Sequence, residues 1–188
     1  MDPVLIVIIV AVVVLVGGAA LVLLARRRSR SQRAALRSRF GDEYDRVIEQ
    51  YGRAQGEREL RDRVKTRDAL EIRELDPGER DRFNGAWNAA QNTFVENPAT
   101  GLRDVDLLVQ QVMRERGYPV ERFEERSRLL SVDHPDLVQH YRDAHRVAVD
   151  VEERDTSSTE DMRQAMVDHR YLFDALLQGG DPERTRRL

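Results

Sequence analysis

Cysteine is absent from the chain, and lysine nearly so: of the 31 basic side chains only Lys65 is a lysine. The first absence excludes disulfides, thiol catalysis and cysteine-ligated metals, and it is compatible with a reducing compartment. The second reads as the codon usage of a GC-rich genome rather than a demand for guanidinium chemistry. The glycines never fall in Gly-x-x-x-x-Gly-Lys or Gly-x-Gly-x-x-Gly, so no phosphate loop is present, and no Gly-x-Ser-x-Gly marks a nucleophile elbow. Internal repeats, low-complexity blocks and a Pro/Gly-rich linker are missing as well, and strand signals are weak.

What the chain has first is one long apolar run. Val4 to Ala25 spans 22 residues without a charged or polar side chain, and 16 of them are Leu, Ile or Val. At roughly 1.5 Å per residue the run reaches about 33 Å, enough to cross a hydrocarbon core. On an insertion scale it favours the bilayer by an amount on the order of 5 kcal/mol. Valine is a poor helix former in water, but a spanning segment must satisfy its own backbone, which a lone strand cannot do. Residues 4–25 are therefore expected to form a transmembrane helix. A cleaved signal peptide needs a basic start, a shorter apolar core and a small-residue cleavage site. Here the start is Met1-Asp2-Pro3 and the run ends in Ala25-Arg26-Arg27-Arg28, so a retained anchor is expected. Ala11, Gly18 and Ala25 recur every seven residues, and such a small-residue face permits close approach of a second helix.

The flanks give the segment a direction. Residues 26–40 are a basic juxtamembrane stretch carrying Arg26, Arg27, Arg28, Arg30, Arg33, Arg37 and Arg39 with no acid, whereas the other side offers Asp2 alone. The positive-inside rule leaves the N-terminus outside and the C-terminal part in the cytoplasm. Arg26, Arg27, Arg28, Arg30 and Arg33 are also expected to meet anionic lipid headgroups, at about 1 kcal/mol per residue near the surface. Residues 40–188 hold 24 basic and 33 acidic side chains, a formal −9. So acidic a domain is a poor electrostatic match for nucleic acid, and no nucleic-acid partner is expected.

Residues 41–178 read as one soluble helical domain, and 179–188 as a flexible tail. Asp42 is expected to cap a first helix, with Tyr44, Val47, Ile48 and Tyr51 at helical spacing and Gly52 at its end. Residues 55–71 are far more charged, with i, i+4 pairs such as Glu57/Arg61 and Glu59/Arg63 and only a thin apolar edge. They read as a solvated helix, a neck or a dimer seam. Asp76-Pro77-Gly78-Glu79 is a capping box with proline in the first turn, and the stripe Phe83, Trp87, Ala90, Phe94 follows. Asn97-Pro98 repeats the signal ahead of Leu102, Val105, Leu108, Val109, Val112 and Met113, with Gly117 as the stop. A shorter helix carries Phe123, Leu129 and Leu130. Asp133-His134-Pro135 is expected to open the next, with Leu137, Val138, Tyr141, His145, Ala148 and Val149. Ser158 caps the last, whose stripe runs from Met162 through His169 to Leu176. Amphipathic helices on short connections pack antiparallel, so the expected fold is all-α: an N-terminal transmembrane helix followed by an irregular multi-helix bundle.

Phe40-Gly41-Asp42-Glu43-Tyr44-Asp45, Trp87 with Gln91, Phe94 and Val95, Arg116-Gly117-Tyr118-Pro119-Val120, Ser131-Val132-Asp133-His134-Pro135, Tyr141-Arg142 with Ala144-His145, Ser158-Thr159-Glu160-Asp161 and Arg163-Gln164-Ala165-Met166 together form an ordered pattern over residues 40–177. In this pattern the chain resembles a family of bacterial single-pass membrane proteins with a C-terminal helical domain. The resemblance implies an N-terminal membrane segment in a bacterial cell membrane and brings no assigned activity, so no functional residue is carried over.

Candidate chemistry is sparse. His140 and His145 are five apart and do not share a helical face, and neither His-Glu-x-x-His nor His-x-x-x-His occurs, so no metal or cofactor is expected. His145 and His169 each fall on an apolar stripe. They are weak catalytic candidates if two helices bring the imidazoles together with Asp133 or Glu160 nearby; the simpler reading is a core histidine bonded to a tyrosine or a carbonyl. Asp133 and His134 are weak candidates as an acid/base pair, against the simpler reading of a helix cap with Pro135 in the first turn. Asp104 and Asp106, two apart on one helix, diverge and read as a solvated face. The expectation that follows is a cytoplasmic helical domain held at the inner membrane face as a protein-interaction or scaffolding module. The alternative is a membrane-tethered enzyme or small-ligand binder using buried His and Asp in the bundle core.

Overall fold

The structure, a computed structural model, describes residues 30–154 and 157–179. The expected membrane helix 4–25, Arg26 to Arg28 and the chain from 180 onward lie outside the described residues. No helix among the described residues is long and apolar enough to cross a membrane. The chain divides after Arg39 into two compact units. Of the first, residues 30–39 are described; they are helical and leave Arg30, Arg33, Arg37 and Arg39 exposed.

The second unit begins at Phe40, the last residue of that helix (α1, residues 30–40). It continues through α2 (Asp42–Tyr51), α3 (Arg53–Asp68), α4 (Pro77–Glu96), α5 (Pro98–Arg116), α6 (Phe123–Asp133), α7 (Val138–Arg154) and α8 (Thr159–Gln178). The described residues form no strand, and the fold is all-α.

Local chemistry sets most of these boundaries. Asp76 and Glu79 form the expected capping box at α4, Asn97 accepts from the Thr100 N–H at α5, and Ser158 with Asp161 forms a second capping box at α8. Each satisfies backbone donors that the first helical turn leaves unpaired. α5 ends on Gly117, left-handed at φ 96°, where an added Cβ would lie 2.6 Å from the Glu71 carbonyl oxygen. Glycine is required there on both counts.

α5 is the centre of the core. α4, α7 and α8 all pack on it, and Leu102, Val105, Val109, Val112 and Met113 are wholly buried along its length. Burial of each such side chain contributes about 1.5–3 kcal/mol. At the α4–α5 corner the two backbones nearly touch: a Cβ on Gly101 would stand 2.3 Å from the Phe94 Cα.

Two expected boundaries are corrected. Asp42 is not a cap: Gly41 takes that position without a side-chain bond, and Asp42 joins Glu43 and Asp45 as acids of the first turn, where they face the positive end of the helix dipole. Asp133 and His134 do not open α7. Asp133 is the last residue of α6 and His134 its C-cap. A residue before proline is pushed out of the helical region, so His134 leaves the helix at φ −135°, ψ 65°. Its carbonyl then accepts from the Leu137 and Val138 N–H groups, both at 3.1 Å. α3 is also more than a solvated helix. Leu60, Glu57 and Arg63 are buried, Arg63 at 2 % exposure, and Arg63 reaches Glu43 at 2.7 Å and Ser131 at 3.1 Å.

Candidate functional site

Asp106 on α5 gathers two of the four histidines. It stands four residues after Leu102 and three before Val109, inside the buried stripe, and is itself 7 % exposed. Its Oδ1 lies 3.0 Å from Nδ1 of His145 on α7 and 3.6 Å from Nε2 of His169 on α8, while Gln110 Nε2 donates to Oδ2 at 2.8 Å. The solvated face expected for Asp106 is therefore wrong. Its i, i+4 relation to Leu102 and i, i+3 relation to Val109 are the sequence signal of the buried stripe, and they outweigh its proximity to Asp104.

The expected meeting of His145 with His169 is found, but about Asp106; neither Asp133 nor Glu160 is their partner. His145 stacks on Phe123 with centroids 3.9 Å apart, and His169 meets the Tyr141 ring edge-on at 6.3 Å. His169 is completely buried, and neither of its ring nitrogens has a hydrogen-bond partner among the described residues. Burial pushes its imidazole down to about 4 against the pull of Asp106, so it is neutral at physiological pH. For Asp106, burial favours the neutral acid, but the hydrogen bonds from His145 and Gln110 help to hold the carboxyl below its ordinary value. One carboxylate thus bonds α5 to α7 through His145 and faces, without a hydrogen bond, the His169 imidazole of α8, which is sealed from solvent. Among the described residues no group of three or more His, Asp or Glu could hold a metal ion.

The other pair of candidates lies apart from this cluster. Arg67 Nε on α3 reaches both Asp133 oxygens, at 2.7 and 2.8 Å, and the Tyr118 hydroxyl donates to Oδ2. Burial and the neighbouring Asp133 raise the Tyr118 phenol above its ordinary range. His134 is buried, which pushes its imidazole below the ordinary value, and its Nε2 has no partner among the described residues. The carboxylate is occupied by Arg67 and Tyr118 rather than by His134, so the two do not form an acid/base pair. Exposed His140 binds the buried Asp168 at 2.8 Å. Of the expected membrane-surface arginines, Arg30 and Arg33 are described and exposed.

A groove between α4 and α8 supplies what the polar clusters lack, an open apolar face. Trp87, Gln91, Phe94 and Val95 line it from α4 at i, i+4, i+7 and i+8. From α8 come Arg163, Met166, Val167 and Arg170 at i, i+3, i+4 and i+7. Both helices pack on α5 and touch each other where the Trp87 and Phe173 rings stand 4.8 Å apart. The groove encloses about 540 Å3. Val95 is 80 % exposed, the strongest exposure of any large apolar side chain described. Arg170 lies over the Trp87 and Phe173 rings at 5.0 and 5.7 Å, a cation–π arrangement that fixes the guanidinium at the rim. The periodicity placed Trp87 and Phe94 in one core stripe; Trp87 is buried, but Phe94 is only partly so. A second, polar cleft of about 380 Å3 lies among Tyr51, Gln55, Arg58, Glu59, Asp62 and Arg128. Neither groove is lined by His145, His169, Asp133 or His134.

The chain matches no protein-family model, no curated protein and no solved structure.

Proposed function

We propose that this chain is a single-pass bacterial membrane protein whose helical domain stands in the cytoplasm and holds a protein partner at the inner membrane face. The apolar run 4–25 and the arginines that follow it support the anchor and its direction. The exposure of Arg30 and Arg33 supports their meeting anionic headgroups. The observation that carries the docking role is the α4/α8 groove, where exposed Val95 and half-buried Phe94 and Val167 surround the buried Met166 in a concave seat. Apolar side chains grouped at one surface depression favour an interaction site, and a groove between two helices accepts an amphipathic helix in one recurring mode of recognition.

The second reading, a membrane-tethered enzyme or small-ligand binder, has the convergence of His145 and His169 on Asp106 in its favour. Against it, His169 is wholly buried and the cluster lines neither groove, whereas a reacting site needs a cavity that substrate can enter.

Proximity labelling from the C-terminus, in the native cell, of wild type and Val95→Asp tests the proposal. A docking module loses a defined set of labelled neighbours in the variant while its membrane fractionation is unchanged. An identical neighbour set for both chains overturns it.

A further inference from the structure

We infer that the α4/α8 groove takes an amphipathic helix of a partner protein, one that carries two acidic residues seven positions apart beside its apolar face. The inference rests on the docking role proposed above and names the chemistry of the partner.

The charge of the lining is the first argument. Arg163 and Arg170 line the groove and no carboxylate does, in a domain where acids outnumber bases by 33 to 24. Both cations are available for exchange. Arg163 is paired with Glu160 and Arg170 with Asp174, but the four side chains are 56 %, 71 %, 42 % and 39 % exposed. Ion pairs this open are weak and screened, so either guanidinium can trade its local carboxylate for one brought by a partner. A buried and dehydrated contact then strengthens the new pair.

Spacing is the second argument. Arg163 and Arg170 are seven residues apart on one helix, two turns and roughly 10 Å, with Met166 and Val167 between them on the same face. A helix laid along α8 presents carboxylates at i and i+7 at the same interval, and apolar side chains at i+3 and i+4 face Met166, Phe94 and Val95. Arg170 cannot swing far, because it is stacked on Trp87 and Phe173. The interval is therefore a selective feature.

Shape favours a helix over other occupants. A planar bilayer meets protrusions, not a concave seat between helices. Val95 lines the groove yet is 80 % exposed, and a helix that continues past the groove covers more of it than a small molecule confined within the groove does. The chain's own last residues carry Arg184, Arg186 and Arg187 against Asp181 and Glu183, the wrong balance for a basic rim.

The test uses the full chain in neutral phosphatidylcholine nanodiscs and fluorescent helical peptides of about 16 residues. Their apolar stripes are identical, and the i, i+7 pair is Glu, Gln or Lys. The Glu peptide is expected to bind about tenfold tighter than the Lys peptide. Arg163→Glu should reverse that order, a gain that a misfolded domain cannot give, and Val95→Asp should weaken all three. Equal binding of the three peptides, still lost in Val95→Asp, overturns the acidic-helix inference and leaves the docking role standing. Insensitivity of every peptide to Val95→Asp overturns the docking role itself. Displacement of the Glu peptide by phosphatidylglycerol vesicles, or by unlabelled full chain in neutral nanodiscs, assigns the groove to lipid or to a second copy and overturns the inference.

Discussion

Glu43 and Arg142, 99 positions apart in the chain, face each other in a two-point ion pair, with oxygen–nitrogen distances of 2.7 and 2.9 Å. Arg63 and Arg46 close on the same carboxylate at 2.7 and 2.8 Å. Glu43 is 3 % exposed, so burial alone would raise its carboxyl; the three guanidiniums overcome this and hold it at about 2. One acid in the first turn of α2 thereby fastens α3 and α7 to it.

That arrangement predicts a large stability loss for Glu43→Gln. The substitution keeps the volume but removes the buried charge that three guanidiniums share and leaves Arg63, 3 % exposed at its side chain, with Glu59 as its remaining carboxylate, a defect that costs up to about 3–5 kcal/mol. Because the folded carboxyl is depressed, its contribution is full above the unfolded value near 4.5 and is lost as pH falls toward 2. Thermal melts of the full chain in detergent should show the wild type losing stability over that window, and the variant should lack this component.

His169 predicts a second acid-sensitive window, set higher. The groups that act on it are Asp106, His145 and Asp168. Its folded imidazole is depressed to about 4 from an ordinary 6.5, so the unfolded chain binds the proton first. Stability is therefore full above about pH 6.5 and falls as pH drops toward 4, by an amount on the order of 3 kcal/mol over the whole window. In His169→Leu, Tm measured between pH 7 and pH 4 should be flatter than in wild type, and an unchanged slope would remove His169 as its source.

Two glycines predict opposite signs for the same substitution. At Gly101 a methyl group would meet the Phe94 backbone at 2.3 Å, and Gly101→Ala should destabilise by about 1–3 kcal/mol through overpacking. At Gly85, exposed in the middle of α4 with nothing within 4 Å of the added Cβ, alanine should stabilise by about 0.5–1 kcal/mol. Urea midpoints of the two variants check the pair.

Asp133→Asn separates a structural aspartate from a chemical one. The variant loses the charge that Arg67 binds at two points and weakens the bond from Tyr118, so it should destabilise the α3–α6 packing. Partner labelling by the folded fraction should stay as in wild type; its loss in a domain with an unchanged melt would assign Asp133 a functional role.

Local signals carried much of the fold. The capping boxes at Asp76 and Ser158, the Asn97 cap and the Gly117 stop are read within four residues, because each is a contact between near neighbours in the chain. What escaped local reading is tertiary. Asp133 looks like a cap until Arg67, 66 positions away, is seen to hold it. The inward turn of Arg63 is paid for by Glu43, 20 positions back, and periodicity ranks an arginine as solvated. The groove was hidden for a similar reason: an apolar stripe on α4 looks the same whether it is covered along its whole length or only as far as Trp87. Glu43, Tyr118, Asp133, Arg142 and His145, which all stand in the ordered motifs of residues 40–177, take part in such ties: Glu43 to Arg142, Tyr118 to Asp133 and His145 to Asp106.

The most direct test of a membrane-held cytoplasmic domain is protease accessibility in spheroplasts of cells carrying a C-terminal epitope. The account predicts that protease added outside leaves the domain and its epitope intact in the membrane fraction, and that digestion follows only after lysis. Loss of the domain from intact spheroplasts would place it on the outer face and contradict the account.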